Sequence, residues 1–280
     1  MPHVSPLRYP GGKAFVAPFL AETIRLNGLT GGTYAEPFAG GSGAALNLLL
    51  GEHTSEIFIN DKDKSIYCFW RSVLDHSRDL IRLIATCEVS VRNWHVQKAV
   101  LKNPREHSTL EIGFAAFFLN RCNHSGVLNG GPIGGLRQRG SYKIGVRFNR
   151  EELIKRVERI HLYRSRIHLS CQDALIFMER MLLTGNPDPE RTLVYLDPPY
   201  LEKAKRLYPL YFVKKDHERL ALFLGSHKEV RWIVSYDDVT PIRKLYDAPK
   251  KRIWHNYCVQ SARVGRELLI SSPACLLPAA

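Results

Sequence analysis

The 280 residues carry 40 Lys+Arg against 27 Asp+Glu, a formal net charge of +13, with 45% hydrophobic and 24% charged residues. That balance excludes a disordered chain and favours a polyanionic partner such as nucleic acid over a neutral metabolite. The length suits a core plus a smaller module, and no apolar run reaches the ~18 residues of a bilayer span or forms a signal-peptide core, so the expectation is a soluble, cytoplasmic protein with no membrane partner.

The N-terminal Pro6–Leu7–Arg8–Tyr9–Pro10–Gly11–Gly12–Lys13 is a proline-glycine loop ahead of a helix over about Phe15–Asn27, with Tyr9 and Lys13 flanking the turn. Thr33–Tyr34–Ala35 then reads as a strand. It runs into Glu36–Pro37–Phe38–Ala39–Gly40–Gly41–Ser42–Gly43 and the apolar stretch Ala44 to Leu50. Strand, glycine turn and helix is the arrangement that lets backbone N–H groups approach a nucleoside-bearing ligand. The glycine spacing is not G-x-G-x-x-G, and no Gly–Lys–Ser/Thr ending follows, so neither a dinucleotide nor a nucleoside triphosphate is indicated.

About 20 residues on, where a carboxylate for ribose hydroxyls is expected, the strand Ile57–Phe58–Ile59–Asn60 ends in Asp61. The following Asp61–Lys62–Asp63–Lys64–Ser65 is no calcium loop, because its sixth position is Ile66 and its twelfth Ser72. Helical periodicity from Ile66 to Ile84 puts Ile66, Phe69, Trp70, Val73 and Leu74 on one face, which reads as core.

From about Thr86 to His161 the pattern changes. Helices near Arg92–Leu101 and Leu110–Asn120 give way to the glycine-rich stretch from Ser125 to Gly135, then to Arg137–Gln138–Arg139–Gly140–Ser141–Tyr142–Lys143–Ile144–Gly145–Val146–Arg147. The last is a basic hairpin or loop, and Arg137, Arg139, Lys143 and Arg147 are its candidate DNA contacts. The composition shift marks an inserted domain at 86–161, between 1–85 and 162–280. Asn149 can cap a helix over about Arg150–Ile160, and Arg166–Ser170 restores a strand. Asp173, just past it, either caps the helix Ala174–Leu183 or meets a ligand.

Leu193–Val194–Tyr195–Leu196 runs straight into Asp197–Pro198–Pro199–Tyr200. Neither proline can donate to a sheet ladder, so the strand stops at Asp197 and places a carboxylate and an aromatic ring at its carboxyl end, where open α/β sheets bind ligands. The basic, aromatic Lys203 to Tyr211 reads as a lid or DNA-facing loop. A helix over Asp216–Leu224, a strand over Arg231–Ser235, a short helix after Thr240 and two final strands near Lys251–Val259 and Glu267–Ser271 complete the sheet, the last pair as an antiparallel edge hairpin. Six cysteines show no Cys-x-x-Cys pair and no grouping with histidine, so they read as reduced, mostly buried thiols, and no metal is expected.

Pro10–Gly11–Gly12–Lys13, Glu36 to Gly43, Asn60–Asp61 and Asp197–Pro198–Pro199–Tyr200, in that order, resemble the Dam-type DNA N6-adenine methyltransferases of the alpha group. The resemblance runs from about Pro6 to about Ser271. It implies an α/β, Rossmann-like methyltransferase sheet with an antiparallel edge hairpin and an inserted, mainly helical DNA target-recognition domain. It implies S-adenosyl-L-methionine as cofactor, with Tyr9 (at the family's usual tryptophan position), Lys13, Phe38, Asp61, Asp173 and Asp197 around it. It also implies catalysis by Asp197, Pro198 and Tyr200 on an adenine flipped out of double-stranded DNA, as in restriction–modification. Where the family's GATC-specific members have Asn–Gly–Leu–x–Arg, this chain has His124–Ser125–Gly126–Val127–Leu128–Asn129, a departure from that target pattern. Cytosine N4, an RNA base or a protein glutamine offers a similar amino group, and a non-catalytic DNA-binding module is the reading from another class. A monomer would suffice for any of these.

Overall fold

A computed structural model describes residues 4–8, 13–200, 212–258 and 262–279. Two compact units emerge, one chiefly of Lys13–Lys62 and Arg166–Ala280, the other of Pro2–Gly12 and Asp63–Ser165. Expected residue Tyr9 and the expected loop Lys203 to Tyr211 lie outside the described residues.

The first unit is built on a seven-stranded sheet. Its strands are β1 (Thr33–Glu36), β2 (Glu56–Asn60), β3 (Ile167–Ser170), β4 (Thr192–Leu196), β5 (Trp232–Asp237), β6 (Lys250–Cys258) and β7 (Ala262–Ser271), in the spatial order β3-β2-β1-β4-β5-β7-β6. β1 to β5 are parallel, while β7 runs antiparallel to both β5 and β6, so the final hairpin does close the sheet's edge. This is the expected α/β, Rossmann-like sheet. Every residue of β4 and β5 is buried, as a parallel strand covered on both faces requires. Val194, Leu196, Trp232, Val234, Tyr236, Leu268 and Ile270 form one core with Leu220, Leu224, Met178 and Met181 of the flanking helices.

Those helices include α1 (Ala17–Leu26), entered through a 3-10 turn at Lys13–Val16, α2 (Gly43–Leu50), α8 (Ala174–Thr184), α9 (Lys214–Ser226) and α10 (Thr240–Leu245). α2 starts without a side-chain cap from Ser42. Instead the Glu36 Oε1 at the end of β1 accepts the Ala45 N–H at 3.0 Å, so strand end and helix start are tied by one carboxyl group. The strand order changes direction between β1 and β4, and in such sheets the crevice at the carboxyl ends of those two strands is where a ligand is held.

The second unit holds α3 (Lys64–Asp75), α4 (Ser77–Thr86), α5 (Val91–Lys102), α6 (Thr109–Cys122) and α7 (Arg150–Leu162). Asp63 caps α3 by accepting the Ser65 N–H at 2.8 Å, and Asn149 caps α7 through the Glu152 N–H. Ser108 and Glu111 form a reciprocal capping box at the start of α6. The single helix expected over Ile66–Ile84 is broken at His76, whose φ of −125° leaves the helical region. The apolar face expected of it is buried, with Phe69 stacked on Phe117 at 5.9 Å and Phe148 closing the same cluster. α3 and α4 thus pack among the inserted helices, and the compact unit begins at Asp63, upstream of the composition shift at 86. Residues 4–8 also belong here: the buried Asn120 amide accepts the Arg8 N–H and donates to the Arg8 carbonyl, both at 2.7 Å. Gly126 cannot be replaced there, because a Cβ would lie 2.1 Å from the Arg8 carbonyl oxygen and φ is +76°.

Candidate active site

At the carboxyl end of β4 the sheet register sets Leu196 opposite Val234, so Asp197 comes beside Ser235. Ser235 Oγ donates to Asp197 Oδ1 at 2.8 Å, and the buried Tyr195 hydroxyl donates to Ser235 Oγ at 2.9 Å. Lys13 Nζ stands 3.3 Å from the same Oδ1. Among the described residues both side-chain partners of Asp197 meet Oδ1 and none meets Oδ2. Pro198 is buried, and Tyr200 is half-buried with its ring 4.9 Å from Lys13 Nζ. The structure thus brings Asp197, Pro198, Tyr200 and Lys13 together.

One residue in this cluster carried no sequence signal. Glu267 of β7 is fully buried; its Oε1 takes the Lys13 ammonium at 2.6 Å and the Tyr200 hydroxyl at 2.7 Å, and Lys13 also donates to that hydroxyl. Glu267 arrives here because β7 is antiparallel. An antiparallel strand enters its pairing at the carboxyl end of its parallel neighbour, and Glu267 is the first residue of β7 to pair with β5, opposite Asp237, the last residue of β5. Ser235 is likewise an unanticipated member, visible only once β4 and β5 are in register.

Burial raises the Asp197 pKa to about 6, with Lys13 opposing and the Glu267 charge adding to the rise. About a quarter of that side chain is still exposed, at 26%, so the direction is what the surroundings fix. Burial works against the Lys13 charge, yet Asp197 and Glu267 together outweigh it and raise the lysine's pKa. Both partners of the Asp197–Lys13 contact are thus charged at neutral pH.

The glycine turn lies at the end of the adjacent β1. Gly40 and Ser42 both adopt φ of +46°, a left-handed path natural for glycine and costly for serine. Asp61, at the end of β2, accepts the Gly40 N–H on Oδ2 at 2.8 Å, while Asn60 donates to the Pro37 and Gln172 carbonyls at 3.0 Å each. The strand ends of β1, β2 and β3 are thereby laced to the turn. Phe38 packs edge-on against Phe212 at 5.4 Å. Asp173 at the end of β3 does two things: Oδ1 caps α8 through the Leu175 N–H at 3.1 Å, and Oδ2 pairs with Lys62 at 2.9 Å. Burial of Asp173 is outweighed by Lys62 and the Leu175 N–H, which lower its pKa. A ligand reaching Asp173 would compete with an exposed lysine. Two carboxylates and a ring at the ends of neighbouring strands, with no cation in the turn, suit an uncharged adenosine better than a phosphate.

In the other unit, Arg137, Arg139, Lys143 and Arg147 are all exposed on a loop of successive turns, with no strand pairing along it. Gln138 holds the loop in shape, donating to the Ile133 and Gly135 carbonyls at 2.8 and 2.6 Å and accepting the Ile144 N–H at 2.8 Å. Lys143 Nζ donates to the Gln138 carbonyl at 2.7 Å, so this cation is partly spent inside the loop. The Arg147 carbonyl is anchored by the buried Arg121 guanidinium at 2.7 Å.

Comparison with known proteins gives three results. Over residues 9–259 the chain matches the family described as D12 class N6 adenine-specific DNA methyltransferase. It is similar to the solved structure of the rRNA methyltransferase aviRa from Streptomyces viridochromogenes, at 14% identity over 98% of this chain and 92% of that one, with a TM-score of 0.35. No curated protein matches it.

Proposed function

The chain belongs to the D12 class of N6 adenine-specific DNA methyltransferases, an S-adenosylmethionine-dependent group, and from that premise we propose how it acts: it flips an adenine out of duplex DNA and methylates N6 at the end of β4. The observation that carries the reading is Asp197 with both side-chain contacts on Oδ1, beside Tyr200, at the switch point of the sheet.

The adenine N6 lone pair is delocalised into the ring, so catalysis must relocalise it. Asp197 Oδ2 accepts one N6–H and the Pro198 carbonyl the other, drawing the nitrogen toward tetrahedral geometry and stabilising the positive charge that develops on it. Lys13 and Ser235 hold the carboxylate in place for that contact. Once the new N–C bond forms, a proton leaves N6, and Asp197, with its raised pKa, is a better acceptor than an ordinary aspartate. The duplex hides the target atom, so the base must leave the stack. The Tyr200 ring supplies a flat surface for it, offsetting unstacking of a few kcal/mol.

S-adenosylmethionine, when bound, supplies an activated methyl group on a sulfonium. Of the described residues, Lys13, Phe38, Asp61, Asp173 and Asp197 would hold it, Asp61 on the ribose hydroxyls and Asp173 and Phe38 on the adenine. Tyr9 completes the set. Residues 86–161 serve as the target-recognition domain, with Arg137, Arg139, Lys143 and Arg147 on DNA, and the protein works in the cytoplasm.

The test is transfer of labelled methyl groups to duplex DNA, single-stranded DNA and RNA, with nuclease digestion and identification of the nucleoside. N6-methyldeoxyadenosine from duplex DNA is expected. N4-methylcytosine, label in RNA or label in protein would overturn the acceptor, and binding without transfer would leave only a DNA-binding module.

A further inference from the structure

Glu267 is the one member of the cluster that the proposed mechanism leaves without a task. We propose that Glu267 is a positioning residue for methyl transfer: it draws the Lys13 ammonium away from Asp197 and anchors the Tyr200 hydroxyl, keeping the carboxylate open to the amine and the ring in place for the base. This rests on the reading of the site given above.

The distances carry the first half. Lys13 Nζ lies 2.6 Å from Glu267 Oε1 and 3.3 Å from Asp197 Oδ1, so the closer ion pair is made with the residue that does no chemistry. An ammonium with three donors and no second acceptor would close on Asp197 and compete for the lone pairs that the N6 hydrogen needs. The second half rests on Tyr200, whose hydroxyl donates to the same Oε1 at 2.7 Å. A ring fixed at its far end loses little freedom when a base stacks on it. Glu267 is 0% exposed and Lys13 6%. Apolar side chains of similar volume fill such space at least as well as a buried ion pair, so packing alone gives no reason for these charges.

The groups facing Asp197 are Lys13 from the turn before α1, Glu267 from β7, Ser235 and Tyr236 from β5, Tyr195 from β4, and Tyr34 and Glu36 from β1. Among these groups Lys13 lowers the Asp197 pKa and Glu267 raises it. This gives a signature that a merely structural residue would lack.

In the full-length protein, Glu267→Gln keeps an acceptor and removes the charge. Its expected result is a fall in kcat of about 10-fold or more, as befits a misplaced catalytic group, with the KM for S-adenosylmethionine and the Kd for DNA within about twofold of the parent. The acid limb of its kcat–pH profile moves to lower pH. Glu267→Asp keeps the charge and shortens the reach, so kcat falls while the limb stays in place. Tyr200→Phe, which removes only the anchored hydroxyl, behaves like Glu267→Asp. A Gln variant with the parent's kcat and pH profile overturns the proposal, as does a loss confined to the KM for S-adenosylmethionine. If the Gln variant does not fold, parent-like kcat in both Glu267→Asp and Tyr200→Phe overturns it. A parent that transfers nothing to adenine in DNA overturns the functional reading and this role with it, whereas an active parent with indifferent variants overturns this role alone.

Discussion

Glu36 offers a measurement in which stability reports directly on the site's architecture. Its side chain is 4% exposed, and Oε1 accepts both the Tyr34 hydroxyl at 2.9 Å and the Ala45 N–H at 3.0 Å. Burial lifts its pKa from 4.5 to about 8, against the opposing pull of those two hydrogen bonds and with a small push from Asp197. The carboxyl group is therefore mostly protonated at neutral pH in the folded protein and ionised in the unfolded chain. A pKa raised on folding gives stability that is whole below the unfolded value and disappears as pH rises through the folded one. The loss runs from about pH 4.5 to about 8, at ~1.4 kcal/mol per unit, for a total on the order of 5 kcal/mol. Glu36→Gln retains an oxygen for both donors and has no proton to lose. Urea unfolding of parent and variant at pH 6, 7, 8 and 9 should show the variant gaining on the parent by about 1 kcal/mol per unit up to pH 8 and levelling off beyond it. Parallel stability curves over that range would refute a protonated Glu36 and the tie it makes between β1 and α2.

Four other outcomes are expected. Asp197→Ala should abolish methyl transfer while DNA binding stays close to the parent's in a filter or anisotropy assay, because the lost contact is made chiefly in the transition state. Asp61→Ala should weaken S-adenosylmethionine binding by calorimetry about tenfold or more. On the proposed reading it removes a charge-assisted bond to ribose of ~1.5–3 kcal/mol, and it also removes the Oδ2 that accepts the Gly40 N–H in the glycine turn. Arg137→Ala or Arg139→Ala should flatten the slope of log affinity against log salt by nearly one unit if its partner is a phosphate, or relax preference at one base position if its partner is a guanine edge. Lys143→Ala, by contrast, should loosen the loop that its ammonium braces and weaken binding to every sequence.

Much of this site could be read from the chain because its landmarks are punctuated locally. Two prolines stop β4 at Asp197, glycines turn the chain after β1, and a carboxylate closes β2, so each candidate is placed by residues beside it in sequence. The break between α3 and α4 has no such mark. No glycine or proline stands at His76, and the amphipathic pattern continues in register on both sides. The same pattern shows that Phe69 and Trp70 are buried without saying against what, which is why the compact unit begins some twenty residues before the composition changes.

Glu267 was hidden for a deeper reason. In a parallel strand the functional end is the carboxyl end, and a reader of sequence looks for polar residues just after the apolar run. β7 reverses that rule: its buried glutamate precedes Leu268, Leu269 and Ile270, where a glutamate next to an arginine looks like the solvated start of a strand. Whether it is solvated depends on which strand lies alongside and in which direction, and both are non-local facts. Insertion of β7 between β5 and β6 delivers a carboxylate 254 positions along the chain from Lys13 to within 2.6 Å of it. The polar residues where an antiparallel strand begins to pair with the last parallel strand of such a sheet are thus candidates for its site, on the same footing as those that follow each parallel strand.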